Sequence, residues 1–578
     1  MWKLRKYLVP YWKASVLAPL FMMLEVAMDL MQPMLMASIV NHGVMESDIV
    51  HIQQTGLLML VVAVIGMFAG FACTIFSSRA AMQFSADLRM DLFAKVQSFS
   101  FRQLDLFKSG SLITRLTNDV AQLQQLVQMS LRAFVRGPLI IVGSIIMTFI
   151  INPSLAIIVV VTISTLIILI YLLIRFASPL FSKLQKKLDN VNTTVQENVS
   201  NIRAVKSFVR SDYENKRFAR VNQDFTQTAI KAFRIMALNM PIVSLILYSS
   251  VVLILWFGAH QAWQGNMPVG DLIAFINYVI QVLFSLLMIG NLMMMVTRGR
   301  ASAERVNDVF SVSVDTEDVE SHNNEVLQGK VNFENVSFSY GDGQKEKTIE
   351  NINLSICPGK RIAIVGSTGA GKSTLVQLLL RLYEPTSGTI YIDGKDIRDI
   401  PLSELRKRIA IVSQNPFLFS GTIKENICFG LPNASEEEII KAAKMAQAHE
   451  FIDKLPGRYD ARIGQKGVNL SGGQKQRISI ARALLLQPKI LILDDSTSAV
   501  DTATEMQIQQ EIRQQLDGCT CIMIAQRISS VINADTIVVM EHGRILSQGS
   551  HEQLLHDCRI YQEIYQSQFR NGGLLNGY

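Results

Sequence analysis

RIAIVGSTGAGKSTLVQLLLRLY, Arg361 to Tyr383, is the stretch that decides how the second half of this chain folds. An apolar run rich in β-branched residues leads into a glycine-rich loop, and the loop leads into apolar residues at helical spacing. Gly366, Gly371, Lys372 and Ser373 stand in the pattern GxxxxGK[ST]. Glycines remove side-chain obstruction, so the N–H groups of Ser367, Thr368, Gly369, Ala370, Gly371 and Lys372 can wrap phosphate oxygens. Lys372 then reaches the β- and γ-phosphates. The Ser373 hydroxyl binds magnesium, with Thr374 beside it at the helix start.

Working outward, LILDDSTSAVD ends an apolar strand in two carboxylates, Asp494 and Asp495. Asp494 at the strand tip holds magnesium directly or through water. Between the two halves lies NLSGGQKQRISIARAL, Asn469 to Leu484, in which Ser471, Gly472 and Gly473 precede a helix. That helix start is a second phosphate-ready terminus with free N–H groups. From Val331 onward strand-like and helical runs alternate, predicting an α/β P-loop nucleotide-binding domain with an antiparallel β subdomain over residues 331–578. The acidic, aperiodic stretch SVSVDTEDVESHNNEVLQGK, residues 311–330, predicts a linker.

The first half is of another kind. The chain has 578 residues, too many for one core, with 49% hydrophobic and only 18% charged residues. Apolar stretches of spanning length cover residues 14–40, 55–76, 137–151, 155–174, 235–259 and 272–296. The loops at 41–54, 152–154 and 260–271 contain no Lys or Arg, whereas residues 79–136 carry eight and residues 175–234 carry twelve. The positive-inside rule places both termini and the two basic loops in the cytoplasm. The net charge of +7 therefore belongs to membrane topology, and six spans exclude a soluble nucleic-acid-binding protein. LRMDLFAKVQSF and LDNVNTTVQENVSNIRAVKSFV have helical spacing, so the spans continue into the cytoplasm as coupling arms. Polar turns such as KSGSLITRLTND would then meet something soluble. No cleavable signal precedes the first span, and the six cysteines form no metal or disulfide pattern.

LSGGQ placed after GSTGAGKST and before LILDD resembles the ATP-binding cassette family, and the two cytoplasmic arms resemble its exporter branch. The resemblance covers the whole chain. It implies a half-transporter: an α-helical six-span transmembrane domain with long cytoplasmic helical extensions (residues 1–310), then one cassette. In that family two cassettes meet head to tail, so ATP lies between one chain's Walker loop and the other's LSGGQ. Ser471, Gly472, Gly473 and Gln474 thus serve the partner's ATP. Tyr340, in FENVSFSYGDG, matches the aromatic that stacks on adenine. Gln414, in VSQNPFLF, matches the glutamine that links magnesium to the membrane arms, and Asp501 matches the aspartate that crosses between cassettes.

Two positions depart from the family. Where it places a water-polarising Glu stands Asp495, one methylene shorter. Where it places a γ-phosphate-contacting His, in TCIMIAQRISS, stands Gln526, which cannot carry an imidazolium's charge. Both fall in the composite site built on this chain's Walker loop, which implies the degenerate half of a heterodimeric exporter, similar to bacterial multidrug exporters. A slow homodimer is the alternative.

Substrate evidence must come from the spans. FMMLEVAMDLMQP sets Glu25 and Asp29 on one helical face in mid-membrane, where they receive cationic amphiphiles or pair with basic groups on the partner chain. SLLMIGNLMMMV offers the flexible thioethers of Met288, Met293 and Met294, either as an adaptable surface or as packing. The expected partners are a second half-transporter, hydrophobic or amphipathic small molecules and membrane lipids, with no nucleic acid. The expected place is a bacterial plasma membrane, crossed several times, with the cassette cytoplasmic. Lipid or peptide export, and more remotely an ATP-gated channel or sensor, remain open.

Overall fold

The computed structural model describes residues 2–313, 328–340, 347–496 and 500–569, so that most of the expected linker lies outside the described residues. The chain divides into two compact units, Met1–Gln97 with Lys108–Ser313, and Ser98–Phe107 with Val314–Tyr578.

The first unit is helical: Trp12–Ser38, Ile49–Gln97, Val120–Ile151, Pro153–Ser200, Asn239–Trp263 and Val269–Ser311 are its main rods. Among the described residues five helical stretches are long and apolar enough to cross a membrane, and Pro153–Leu169 is a shorter apolar run. Apolar side chains cover the outside of this unit as well as its inside, unlike a water-soluble bundle. Leu57, Phe68, Phe71 and Trp256 point outward, while Ser77, Ser144 and Thr148 are buried. Such a surface needs lipid as its solvent.

The helices outrun the apolar stretches, as the expected arms require. Ile49–Gln97 has 49 residues, about 74 Å at 1.5 Å each, against a hydrocarbon core of about 30 Å. Asn152 alone separates the third and fourth rods. Its side chain accepts from the Ser154 and Leu155 amides at 3.0 and 3.1 Å. Pro153 takes the first helical position, where a missing N–H leaves nothing unpaired. A second proline, Pro241, accounts for the break between Ser211–Ala237 and Asn239–Trp263, because it cannot donate to the Ala237 carbonyl.

The second unit runs β1 (Val331–Phe338), β2 (Ile349–Ile356), β3 (Arg361–Gly366), β4 (Ser387–Ile392), β5 (Lys395–Asp396), β6 (Ile409–Val412), β7 (Gly421–Thr422), β8 (Arg462–Ile463), β9 (Ile490–Asp494), β10 (Thr520–Ile524), β11 (Thr536–Glu541) and β12 (Arg544–Gly549). The main sheet has the order β12-β11-β3-β10-β9-β6. Its neighbours are parallel except β11 and β12. A smaller antiparallel sheet, β2-β1-β4-β5, packs its Phe333, Ile352 and Ile390 into a core shared with one face of the main sheet. Parallel strands share one C-terminal edge, and the register aligns their tips: Ile524 lies opposite both Ile364 and Asp494. The loops after β3, β9 and β10 therefore open side by side, where α/β sheets hold ligands.

One short helix joins this unit from far upstream. Phe101–Phe107 belongs with the cassette, where Asp105 accepts from the Tyr383 hydroxyl at 2.6 Å and Phe101 packs on the Tyr383 ring. The sequence points to KSGSLITRLTND as the turn that meets soluble structure. That stretch belongs to the first unit, and the seven residues before it are grouped with the cassette.

Candidate functional site

The loop after β3 adopts backbone angles that require glycine. Gly366 has φ +154°, and a Cβ there would lie 2.1 Å from the Met540 carbonyl oxygen. Gly371 has φ +94° and precedes the helix Lys372–Leu379. Lys372 curls back over the loop, its Nζ donating to the carbonyls of Gly366 and Ser367 at 2.8 Å each. Burial pulls its pKa below the ordinary lysine value, opposed by Asp494 and Asp495. The ammonium is thus held inside the cradle by neutral carbonyls that a phosphate can replace.

Across the edge, the Ser373 hydroxyl faces Asp494 Oδ1 at 3.5 Å. Burial raises the Asp494 carboxyl above the usual aspartate range, and the Ser373 contact works against it. Asp495 sits in the left-handed region at φ +45°, a conformation uncommon outside glycine. Its amide donates to the Ile524 carbonyl at 2.8 Å, which fixes the turn against β10. Its carboxylate accepts from Gln414 Nε2 at 3.1 Å and is likewise raised, chiefly by burial. Gln414 is thereby placed on the second aspartate. Gln526, two residues beyond β10, is exposed at the same edge.

Tyr340 follows the antiparallel β1 and is half exposed. Its hydroxyl donates to Gln377 Oε1 at 2.6 Å and shares a 3.1 Å hydrogen bond with Thr374. Its ring meets Tyr383 edge to face, with centroids 5.2 Å apart. The aromatic thus stands over the first turn of the phosphate-loop helix.

The LSGGQ segment forms a capping box. Ser471 Oγ accepts from the Gln474 amide, and Gln474 Oε1 accepts from the Ser471 amide at 2.9 Å. This reciprocal cap fixes the start of Gly472–Leu485 and presents Gly472 and Gly473 without side chains. Asp501 caps the helix Thr502–Gln515 by accepting from the Thr504 amide and hydroxyl at 2.9 and 2.8 Å, which lowers its pKa. Arg482, half-buried in the signature helix, donates to the carbonyls of Asn426 and Phe417 and so ties that helix to the segment after Gln414.

In the first unit Arg136 binds both acids of the first span: one guanidinium nitrogen donates to Glu25, the other to Asp29 at 2.9 Å. The basic group is this chain's own, supplied by the third rod. Among the loop cations at 79–136 it is the one that pairs with these acids, and its position in the apolar context LRAFVRGPLII is the signal that sequence reasoning passed over. Gly70 makes room, since a Cβ there would come within 2.8 Å of Glu25 Oε2. Met288 is exposed; the side chains of Met293 and Met294 lie outside the described residues.

A phosphate cradle, a carboxylate-tipped neighbouring strand and a glycine-fronted signature helix, carried with a bundle of spanning helices, define a membrane-embedded ATPase. Two family models match in the expected order, the ABC transporter transmembrane region over residues 16–286 and the ABC transporter model over residues 349–498. The ABC transporter ATP-binding protein YfiB of Bacillus subtilis (strain 168) is 42% identical over 99% of both chains. An ATP-dependent lipid A-core flippase of Syntrophus aciditrophicus (strain SB) is 36% identical over 84% of this chain and 80% of its own. The structure of a bacterial Atm1-family ABC exporter with ATP bound superposes with a TM-score of 0.79 at 28% identity, covering 96% of this chain and 98% of that one. This chain belongs to the ABC transporter family, as an ATP-hydrolysing half-transporter with an exporter fold.

Proposed function

We propose that the chain drives export of hydrophobic or amphipathic compounds, multidrug substrates included, from the cytoplasmic side of a bacterial plasma membrane, as the degenerate-site half of a heterodimer. The observation that carries this reading is the placement of Asp495 and Gln526 at one sheet edge beside the Lys372 cradle. Lys372 holds the β- and γ-phosphates, and Tyr340 supports the adenine. The Ser373 hydroxyl, the Asp494 carboxylate and the Gln414 amide oxygen form a hard-oxygen donor set suited to magnesium. When bound, that ion supplies positive charge for the phosphate oxygens. Asp495, held by Gln414, is short of the reach of a Glu, and Gln526 donates a neutral hydrogen bond where the family uses imidazole. Hydrolysis at this Walker loop is slow.

Ser471 to Gln474 complete a faster site on the partner, with Asp501 at the boundary between cassettes. Met288, with Met293 and Met294, is a candidate substrate contact, whereas Glu25 and Asp29 are held by Arg136 and would meet a cationic substrate only by its displacing that guanidinium. The flippase relative supports lipid as a second substrate class.

The experiment purifies the tagged full chain from its native membrane, identifies the co-purifying half-transporter and measures ATPase activity of Gly472→Asp and Asp495→Asn. A different second chain is expected, with turnover lost roughly tenfold or more in Gly472→Asp, because a carboxylate displaces the phosphate from the helix start. A homodimer with equal losses in both variants would overturn the asymmetric reading.

A further inference from the structure

The turn after β10 has little regular structure to hold it. β10 ends at Ile524, Arg527 is extended at φ −98° and ψ 125°, and a single helical turn spans Ile528–Ser530. Gln526 and Arg527 are both exposed. Two backbone groups of this turn, the Gln526 carbonyl and the Ile528 N–H, are met by one side chain from the helix Arg559–Phe569. Gln568 Oε1 accepts from the Ile528 amide at 2.8 Å, and Gln568 Nε2 donates to the Gln526 carbonyl at 2.7 Å. A carboxamide supplies both a donor and an acceptor in its neutral form, and a carboxylate cannot.

The helix that carries Gln568 is itself anchored. Tyr561 is fully buried with its hydroxyl 2.7 Å from His551 Nδ1, and Ile560, Ile564 and Tyr565 pack against the main-sheet core. Ile528, buried in the main-sheet core, anchors the far end of the turn, so Gln568 fixes what lies between it and β10, the exposed Gln526 and Arg527.

We infer that Gln568 is a positioning residue for Gln526, so that the C-terminal helix sets how well this site tells ATP from ADP. The inference rests on the reading that Gln526 faces the γ-phosphate. Only the nucleotide that carries a γ-phosphate feels the position of that turn. A general loosening of the cassette would weaken both nucleotides together.

The test uses the full chain, in the assembly it forms, reconstituted in lipid nanodiscs. Azido-ATP and azido-ADP labelling of this chain are titrated for the native protein and for Gln568→Ala, Gln568→Glu and Gln526→Ala. Gln568→Ala is expected to lower the preference for ATP over ADP about fivefold, the worth of one ordinary hydrogen bond, with ADP affinity unchanged. Gln568→Glu keeps the acceptor for Ile528 and loses the donor to Gln526, so it falls part of the way and carries the test should the alanine variant fold poorly. An unchanged ratio in both Gln568 variants, or a parallel loss of ATP and ADP, overturns the inference. If Gln526→Ala lowers the ratio and the Gln568 variants do not, the clamp alone is refuted. If Gln526→Ala leaves the ratio unchanged, the placement of Gln526 at the γ-phosphate fails, and the clamp's role fails with it.

Discussion

Glu25 and Asp29 in the first rod, and Asp494 and Asp495 at the tip of β9, are both pairs of acids in apolar settings, yet their charges are met in different ways. The first pair receives a guanidinium from within the same unit, with Arg136 bridging both carboxylates. The second pair takes hydrogen bonds from the Ser373 hydroxyl and the Gln414 amide, with Lys372 and Arg527 acting on it through space, and burial still raises both carboxyls. Built-in neutralisation suits a structural joint between two rods. Carboxyls that stay raised beside those cations suit a place that receives a further cation with the nucleotide.

The largest effect that can break this contrast is expected at Asp494. Asp494→Asn should weaken magnesium-dependent ATP binding by at least the roughly 10–100-fold lost when a supporting residue of a metal site is removed. Titrating ATP with and without magnesium checks it, and equal losses in both conditions would make Asp494 a structural acid like Glu25.

Next in size is the membrane pair. Arg136→Met strands two carboxylates, which for a fully buried pair costs about 3–5 kcal/mol. Side-chain exposures of 33% for Arg136, 14% for Glu25 and 38% for Asp29 bring the expectation down, to about 2 kcal/mol. Adding Glu25→Gln and Asp29→Asn should restore most of the loss. Thermal unfolding in detergent would show it, and full stability of Arg136→Met would leave the acids free to serve substrate instead.

The smallest effect belongs to Asp495. A working general base contributes roughly 10²–10⁴-fold, so Asp495→Asn should lower turnover of the assembly by no more than about twofold if this residue no longer acts as one. Phosphate release by the reconstituted assembly decides it, and a hundredfold loss would return Asp495 to full catalytic service.

Much of this was legible in the sequence because the information is local. The run from Arg361 to Ser373 dictates strand, loop and helix within a single stretch, and the six apolar segments announce themselves by length. What escaped was set by contacts between distant segments. Arg136 reads as one more loop cation until the third rod lies against the first. Gln414 carries no mark that its amide rests on Asp495, 81 residues away. Asp501 shows the converse, since an acid three residues before a threonine within a helix start fits a cap as readily as a cassette boundary. Gln568 was invisible for the same reason as Arg136: a glutamine near a chain's end has no period and no motif.

The helix Phe101–Phe107 imposes an order of events on the nascent chain. Asp105 and its partner Tyr383 are 278 residues apart in sequence. A ribosome adding about 5–20 residues per second takes on the order of half a minute to cover that distance. During that interval Phe101 and Asp105 have emerged and the ring they pack against has not been made. A cassette begun at Val331 would fold with Tyr383 permanently short of this neighbour. Excised cassettes of this chain should therefore be stickier than the whole protein, and adding back a peptide of residues 98–107 should calm them.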